Sequence, residues 1–308
     1  MKEKLRLIVI GIVAATLVGC ATTPLQDVRN FGKASTSFAT DAGKGFTILT
    51  DSMAEYDLSH AAADPSSPLL PETFKGSDEE KTIREAVPKL KAILSNVAEY
   101  GQALQTLAEA DFKKSIDDSA TELNSSLEGL RTSFEKDTGS KLAITSTDIQ
   151  ILSTAVEGIG VLVAEAKRKH AIKLIVTKTD PAIQQVSQRM AVRFKRDIGP
   201  AVETYFTATL GPMYKDFNEN WKEKTYPERR DREEQIRKQE MVNQGIQPLF
   251  DQLSKASTQM GQAHAALASA VQKDNFTTAD FHARVVALVD YTKSVKQFYD
   301  SLDKETKK

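Results

Sequence analysis

The stretch "IREAVPKLKAILSNVAEYGQALQTLA", residues 83–108, decides how the rest of the chain is read. Ile83, Val87, Leu90, Leu94, Val97, Gly101, Leu104 and Ala108 alternate at spacings of four and three. That is the period of a helix seam packed on other helices, not the period of two that a strand requires. Pro88 interrupts the pattern, so the helix either kinks there or begins there.

The same rhythm extends in both directions. Upstream, Leu25, Val28, Gly32, Ser35, Phe38, Ala42, Gly45, Leu49, Ser52 and Tyr56 form a stripe rich in small residues, which lets a helix approach its neighbour closely. A loop with Pro65, Pro68 and Pro71 follows it. Downstream, a third helix runs from Phe112 through Ile116, Leu123, Leu127, Leu130 and Phe134 to a cap at Gly139. A fourth opens on Thr145-x-x-Asp148, a capping-box pattern. It carries Ile149, Ile151, Leu152, Val156, Ile159, Val161, Leu162 and Val163. A helix so apolar all round is expected at the centre of the molecule. Asp180-Pro181 reads as the N-cap and first residue of a fifth helix, with kinks or breaks at Gly199-Pro200 and Gly211-Pro212. The sixth spans about Pro227 to Val271, and the seventh opens at Thr277-x-x-Asp280. Hairpin turns of the Asn-Gly or Asp-Gly kind are absent. The expected fold is all-α: an elongated antiparallel bundle of about seven long helices with coiled-coil-like heptad packing, forming one domain over residues 25–308.

The N-terminus follows another logic. Lys2, Lys4 and Arg6 precede the apolar block Leu7–Val18, the layout of a secretory signal peptide and too short for a membrane span. The block ends at Leu17-Val18-Gly19-Cys20, and Cys20 is the only cysteine of the 308 residues. This tetrapeptide resembles the lipobox of bacterial lipoproteins. The resemblance covers residues 1–21 and implies cleavage between Gly19 and Cys20, acylation of Cys20, and a short tether over 20–24. Two or more acyl chains hold a protein firmly on a bilayer. Position 21 is Ala, not Asp. For that family this implies the outer membrane in a host with two membranes, and otherwise the outer face of the plasma membrane. With Cys20 acylated, no thiol remains for a disulfide or metal site.

The formal charge of −1 becomes about −3 once Lys2, Glu3, Lys4 and Arg6 are removed. So balanced a chain argues against a nucleic-acid partner. No HExxH, GxSxG, Walker or GxGxxG motif occurs. Glycines beside Lys44 in "AGKGF" (42–46) lack the rest of a phosphate loop and read as a close helix contact. His264 and His282 come level across a turn near Asp274 but lack a third ligand, and read as surface or boundary residues. Glu157 is expected at the edge of its stripe, and Asp117 and Asp118 point different ways on a helix. No catalytic residue, cofactor or metal is expected.

Two clusters remain as candidate surfaces. Lys167, Arg168, Lys169, His170 and Lys173 read as cations placed near the negative end of the fourth helix. The sharper alternative for Lys167, Arg168, Lys169 and Lys173 is contact with anionic lipid or lipopolysaccharide. The second cluster is Tyr214, Phe217 and Trp221, the only tryptophan, beside "PERRDREEQIRK" (227–238) with its Glu228–Arg232, Glu233–Arg237 and Glu234–Lys238 pairs. A turn at Tyr226-Pro227 would make residues of about 205–245 a protruding hairpin. Tyr214, Phe217, Trp221, Arg229 and Arg230 are its candidate partner-binding residues, since aromatics with arginines dominate interface energetics.

The expected function is a non-enzymatic interaction, adaptor or inhibitor module tethered to the cell envelope through its lipid. The alternatives are a carrier of lipid or another apolar ligand, and a membrane-active protein resembling α-helical pore-forming toxins. Self-association through the small-residue stripes is a further expectation about partners.

Overall fold

The computed structural model describes residues 25–63, 78–109, 113–159 and 165–306. The signal peptide, Gly19, Cys20, the tether, the proline loop, Phe112, Val161, Leu162 and Val163 lie outside the described residues.

The described chain is helical, without a strand: α1 Gln26–Ala63, α2 Asp78–Glu109, α3 Lys113–Thr138, α4 Ser146–Glu157, α5 Glu165–Val192, a π-helical turn Arg193–Ile198, α6 Gly199–Asn220, α7 Tyr226–Gln272 and α8 Ala279–Thr306. α5, the π turn and α6 are continuous, so the expected all-α bundle of about seven rods is what forms. α1 packs between α2 and α8, α3 joins α2 to α4, and α7 lies against α5, α6 and α8.

The helix at the centre is α2. Besides the seam from Ile83 to Ala108 it buries Ala86, Ile93, Tyr100 and Leu107, a second row at sevenfold spacing. Two buried rows let one helix face α1, α3, α5 and α6. Pro88 lies inside the helix with its side exposed, where the missing N–H leaves no buried acceptor unpaired. The central position was expected for the fourth helix, and here the structure corrects the sequence. α4 is only 12 residues long, buries Ile149, Leu152 and Val156 on one face, and leaves Ile151 53% exposed. Its capping box forms, Thr145 Oγ1 accepting from the Asp148 N–H at 3.1 Å. The helix stops at Gly158.

The fifth helix is also corrected. α5 begins at Glu165 and passes through Asp180-Pro181 without interruption. Asp180 does not cap because its carboxylate is engaged sideways, by His264 of α7 and Gln184 of its own helix. At Gly199-Pro200 the helix does not break. The π turn places the Gly199 N–H on the Phe194 carbonyl, widening the ladder just before a proline that has no N–H to offer. Phe194 of that turn meets Phe46 of α1 and Phe250 of α7, with ring centroids 5.9 and 6.4 Å away. The stripe of small residues on α1 does bring helices close. Gly32 crosses Gly101 of α2, and Gly45 of "AGKGF" receives the Tyr299 ring of α8.

Candidate functional site

The α6–α7 hairpin is built by its turn. α6 ends at Asn220, and α7 starts from Thr225, whose N–H and hydroxyl both donate to the Glu228 carboxylate at 2.6 and 2.7 Å. Those bonds hold the Glu228 carboxyl below its ordinary range. Pro227 follows in the first turn, where a missing N–H is harmless. Trp221 thus sits at the C-cap of α6, still in helical conformation, where the turn begins. Its ring lies under the Arg229 guanidinium, 5.1 Å from the centroid, and Arg229 Nη1 donates to the Lys224 carbonyl at 3.0 Å. The ring remains 46% exposed.

From Tyr214 to Gln235 no residue is buried; Ile236, Gln239 and Val242 resume the core. The three aromatics of the stripe separate. Phe217 turns inward and packs against the core, Tyr214 stays 39% exposed with its hydroxyl donating to Glu240, and Trp221 faces outward. Tyr226, which sequence reasoning used only to place the turn, is 71% exposed and joins them. Arg232 donates to Asp216 across the hairpin at 3.3 Å, Arg229 is held as described, and Arg230 is exposed. The tip is a braced surface with three outward aromatics.

The second cluster lies elsewhere and in an unexpected electrostatic setting. Lys167, Arg168, Lys169 and His170 belong to the first turns of α5, the positive end of a helix, and not to the negative end of a longer one. Lys169 pairs with Glu165 at 2.6 Å, and Lys173 reaches Asp274 of the α7–α8 turn at 2.7 Å.

Sequence reasoning missed a buried polar network. His264, expected at the surface or boundary, is fully buried. Its Nδ1–H donates to Asp180 Oδ1 at 2.9 Å, and its Nε2 meets the Tyr100 hydroxyl at 2.8 Å, which in turn meets Thr179 Oγ1 at 2.8 Å. Burial pushes the Tyr100 hydroxyl well up. Burial would also raise Asp180, but the His264 ring and Gln184 hold it below its usual range. The only available signal was His264 standing at a seam position of α7, between Gly261 and Leu267, and it was read as a boundary. His282 is exposed and bonds Asp27 at 3.1 Å. Among the described residues no group of three or more His, Cys, Asp or Glu could hold a metal ion. Glu157 is exposed.

A third set joins helices rather than exposing them. Asp137 at the end of α3 accepts from Arg189 at 2.9 Å and Arg193 at 2.6 Å. No protein-family model matches the chain, and it matches no curated protein and no solved structure.

Proposed function

We propose that the protein is a cell-envelope lipoprotein, anchored through Cys20, whose non-enzymatic helical body holds a partner protein at the α6–α7 hairpin tip. The observation that carries this reading is the exposure of Tyr214, Trp221 and Tyr226 together on a segment, 214–235, that buries nothing of its own. Exposed aromatics beside arginine are the composition of interface anchors. The charge of the tip selects the class of partner. Between 214 and 240 there are eight Lys or Arg and eight Asp or Glu. Such a neutral mosaic suits a protein surface and gives no attraction to phosphate backbones or anionic bilayers.

The bundle supports the role mechanically. Asp27 bonds His282, so the start of α1 lies beside the α7–α8 turn. The 47 residues of α7 then carry the tip about 70 Å from that end. An anchor at Cys20 and a docking tip at the far end make a spacer. The carrier alternative has less support: the core cavity lined by Phe46, Ile246, Phe250 and Phe298 holds about 20 Å³, room for one water, and the larger clefts of about 530 and 630 Å³ lie open at the surface with Lys, Asp and His in their lining, so neither would enclose an apolar cargo. Among the described residues no helix is long and apolar enough to cross a membrane.

The test is photo-crosslinking in the native host from a crosslinkable residue at Trp221, with exposed Lys136 as control. A discrete protein adduct from Trp221 alone is expected. Lipid alone, or no adduct, overturns the docking reading.

A further inference from the structure

The tether-proximal end of the bundle carries a basic cleft that the hairpin does not use. Three contacts define this end. Asp27 of α1 meets His282, Arg29 pairs with Glu109 at the end of α2, and Lys173 of α5 pairs with Asp274 of the α7–α8 turn. From Ala166 to Lys178 the sequence holds Lys167, Arg168, Lys169, Lys173 and Lys178 and no carboxylate. Of these, Lys167, Arg168 and Lys169 stand in the first turns of α5 and add to the positive end of the helix dipole instead of offsetting a negative one, while Lys173 and Lys178 lie further along the helix. The position of the first three at that end disfavours the helix, offset at Lys169 by its pair with Glu165 one turn back. Among the described residues neither Lys167 nor His170 meets a carboxylate.

Beside this face lies an open cleft of about 630 Å³, lined among others by Lys169, His170, Lys173, Leu174, Thr177 and Phe276, with Asp274 at its rim. The Thr177 hydroxyl oxygen at its edge is buried with no hydrogen-bond partner. Buried hydroxyls are normally paired. An oxyanion in the cleft would accept from Thr177 and share the Lys169 and Lys173 ammoniums with the Glu165 and Asp274 carboxylates that pair with them. Leu174 and Phe276 give the same cleft an apolar wall, which a glycerol backbone and the start of an acyl chain can cover and an inorganic ion cannot.

The geometry points to a seat for one anionic phospholipid headgroup, of the phosphatidylglycerol kind, between α5 and the α7–α8 turn, so that this end rests on the bilayer and the hairpin points away. The orientation rests on the anchored reading; the site itself does not, because a soluble lipid needs no acylated Cys20 to reach it.

The experiment is calorimetric titration of the full-length Cys20→Ser chain with dihexanoyl-phosphatidylglycerol below its micellar concentration. Dihexanoyl-phosphatidylcholine and inorganic phosphate serve as comparison probes. Saturable binding of the anionic lipid, at least tenfold tighter than either comparison, is expected. Thr177→Val, which keeps the side-chain volume, and Lys169→Ala should each weaken it about tenfold while the thermal midpoint of Thr177→Val holds. Equal binding of the zwitterionic lipid, equal binding of phosphate alone, or affinity unchanged in both variants overturns the proposal. A failed anchor shows separately, as unchanged membrane fractionation of Cys20→Ser in cells.

Discussion

Gly32 on α1 and Gly101 on α2 face each other so closely that a Cβ on Gly32 would stand 2.5 Å from the Gly101 carbonyl oxygen, and one on Gly101 2.7 Å from that of Gly32. Both obstacles are backbone, so neither can swing aside. This crossing sets how near the central helix lies to α1, and with it the fit of Tyr100 and His264 behind.

Gly32→Ala is therefore expected to destabilise the fold by about 1–3 kcal/mol, the range for overpacking a fitted contact. Gly43, on the same helix, has nothing within 4 Å of its would-be Cβ. Gly43→Ala should stabilise by about 0.5–1 kcal/mol through helix propensity. Urea unfolding of the two variants checks the pair, and opposite signs are the expected outcome.

The buried network predicts coupling between helices far apart in sequence. His264→Leu strips Asp180 and Tyr100 of a partner and is expected to cost about 2–4 kcal/mol. Tyr100→Phe alone should cost about 1 kcal/mol. In the double variant the losses should fall short of their sum by about 0.5–3 kcal/mol, since the two groups share a bond. Additive losses in a double-mutant cycle would mean the network is not energetically joined.

Acid sensitivity follows from Asp137. Burial would raise its carboxyl, but the Arg193 and Arg189 hydrogen bonds and charges hold it below the ordinary value near 3.8. A depressed carboxylate contributes stability that is fully present above that value and is lost as pH falls through the lower, folded value. Asp180 is shifted in the same sense. Stability should thus fall below about pH 4. Asp137→Asn should lose about 2–4 kcal/mol at neutral pH, discounted because both guanidiniums reach solvent. It should also flatten the acid limb of the stability–pH curve measured by denaturant titration.

At the hairpin, stability and binding should part company. Trp221→Ala removes a side chain that is half exposed, so the unfolding free energy should change by no more than about 1 kcal/mol. Loss of an interface anchor costs about 2 kcal/mol or more in affinity. Once crosslinking has supplied the partner, its Kd for the two chains checks this. Arg229→Ala should lower affinity less, by about 0.5–1 kcal/mol, through the freed indole.

Much of this fold is legible along the chain because its signals are local. The heptad of α2, the cap at Gly139 with φ of 68°, the Thr145–Asp148 capping box and the span of α7 all depend on residues within a turn or two of one another. Errors arose where a distant partner redirected a local signal. Asp180-Pro181 has the form of a helix start, yet His264, 84 positions away, claims the carboxylate. Trp221 has the spacing of a stripe, yet it is the C-cap of α6 and stays 46% exposed while Phe217, one turn earlier, packs on the core. The lysines after Glu165 are the same in either reading, and only the place where α4 ends decides which pole of a helix they occupy.

By itself, then, the sequence determined that the chain is an all-α bundle and supplied its candidate surfaces, because helix period, caps and charge runs are properties of neighbours in sequence. The tertiary structure decided which helix is central, that His264 is buried among polar partners, that the tip aromatics divide between core and solvent, and that the basic cluster stands at a positive helix end. Burial and electrostatic sign are set by what packs against a residue from other helices, and contacts 80 or more positions apart leave no periodic mark on the chain.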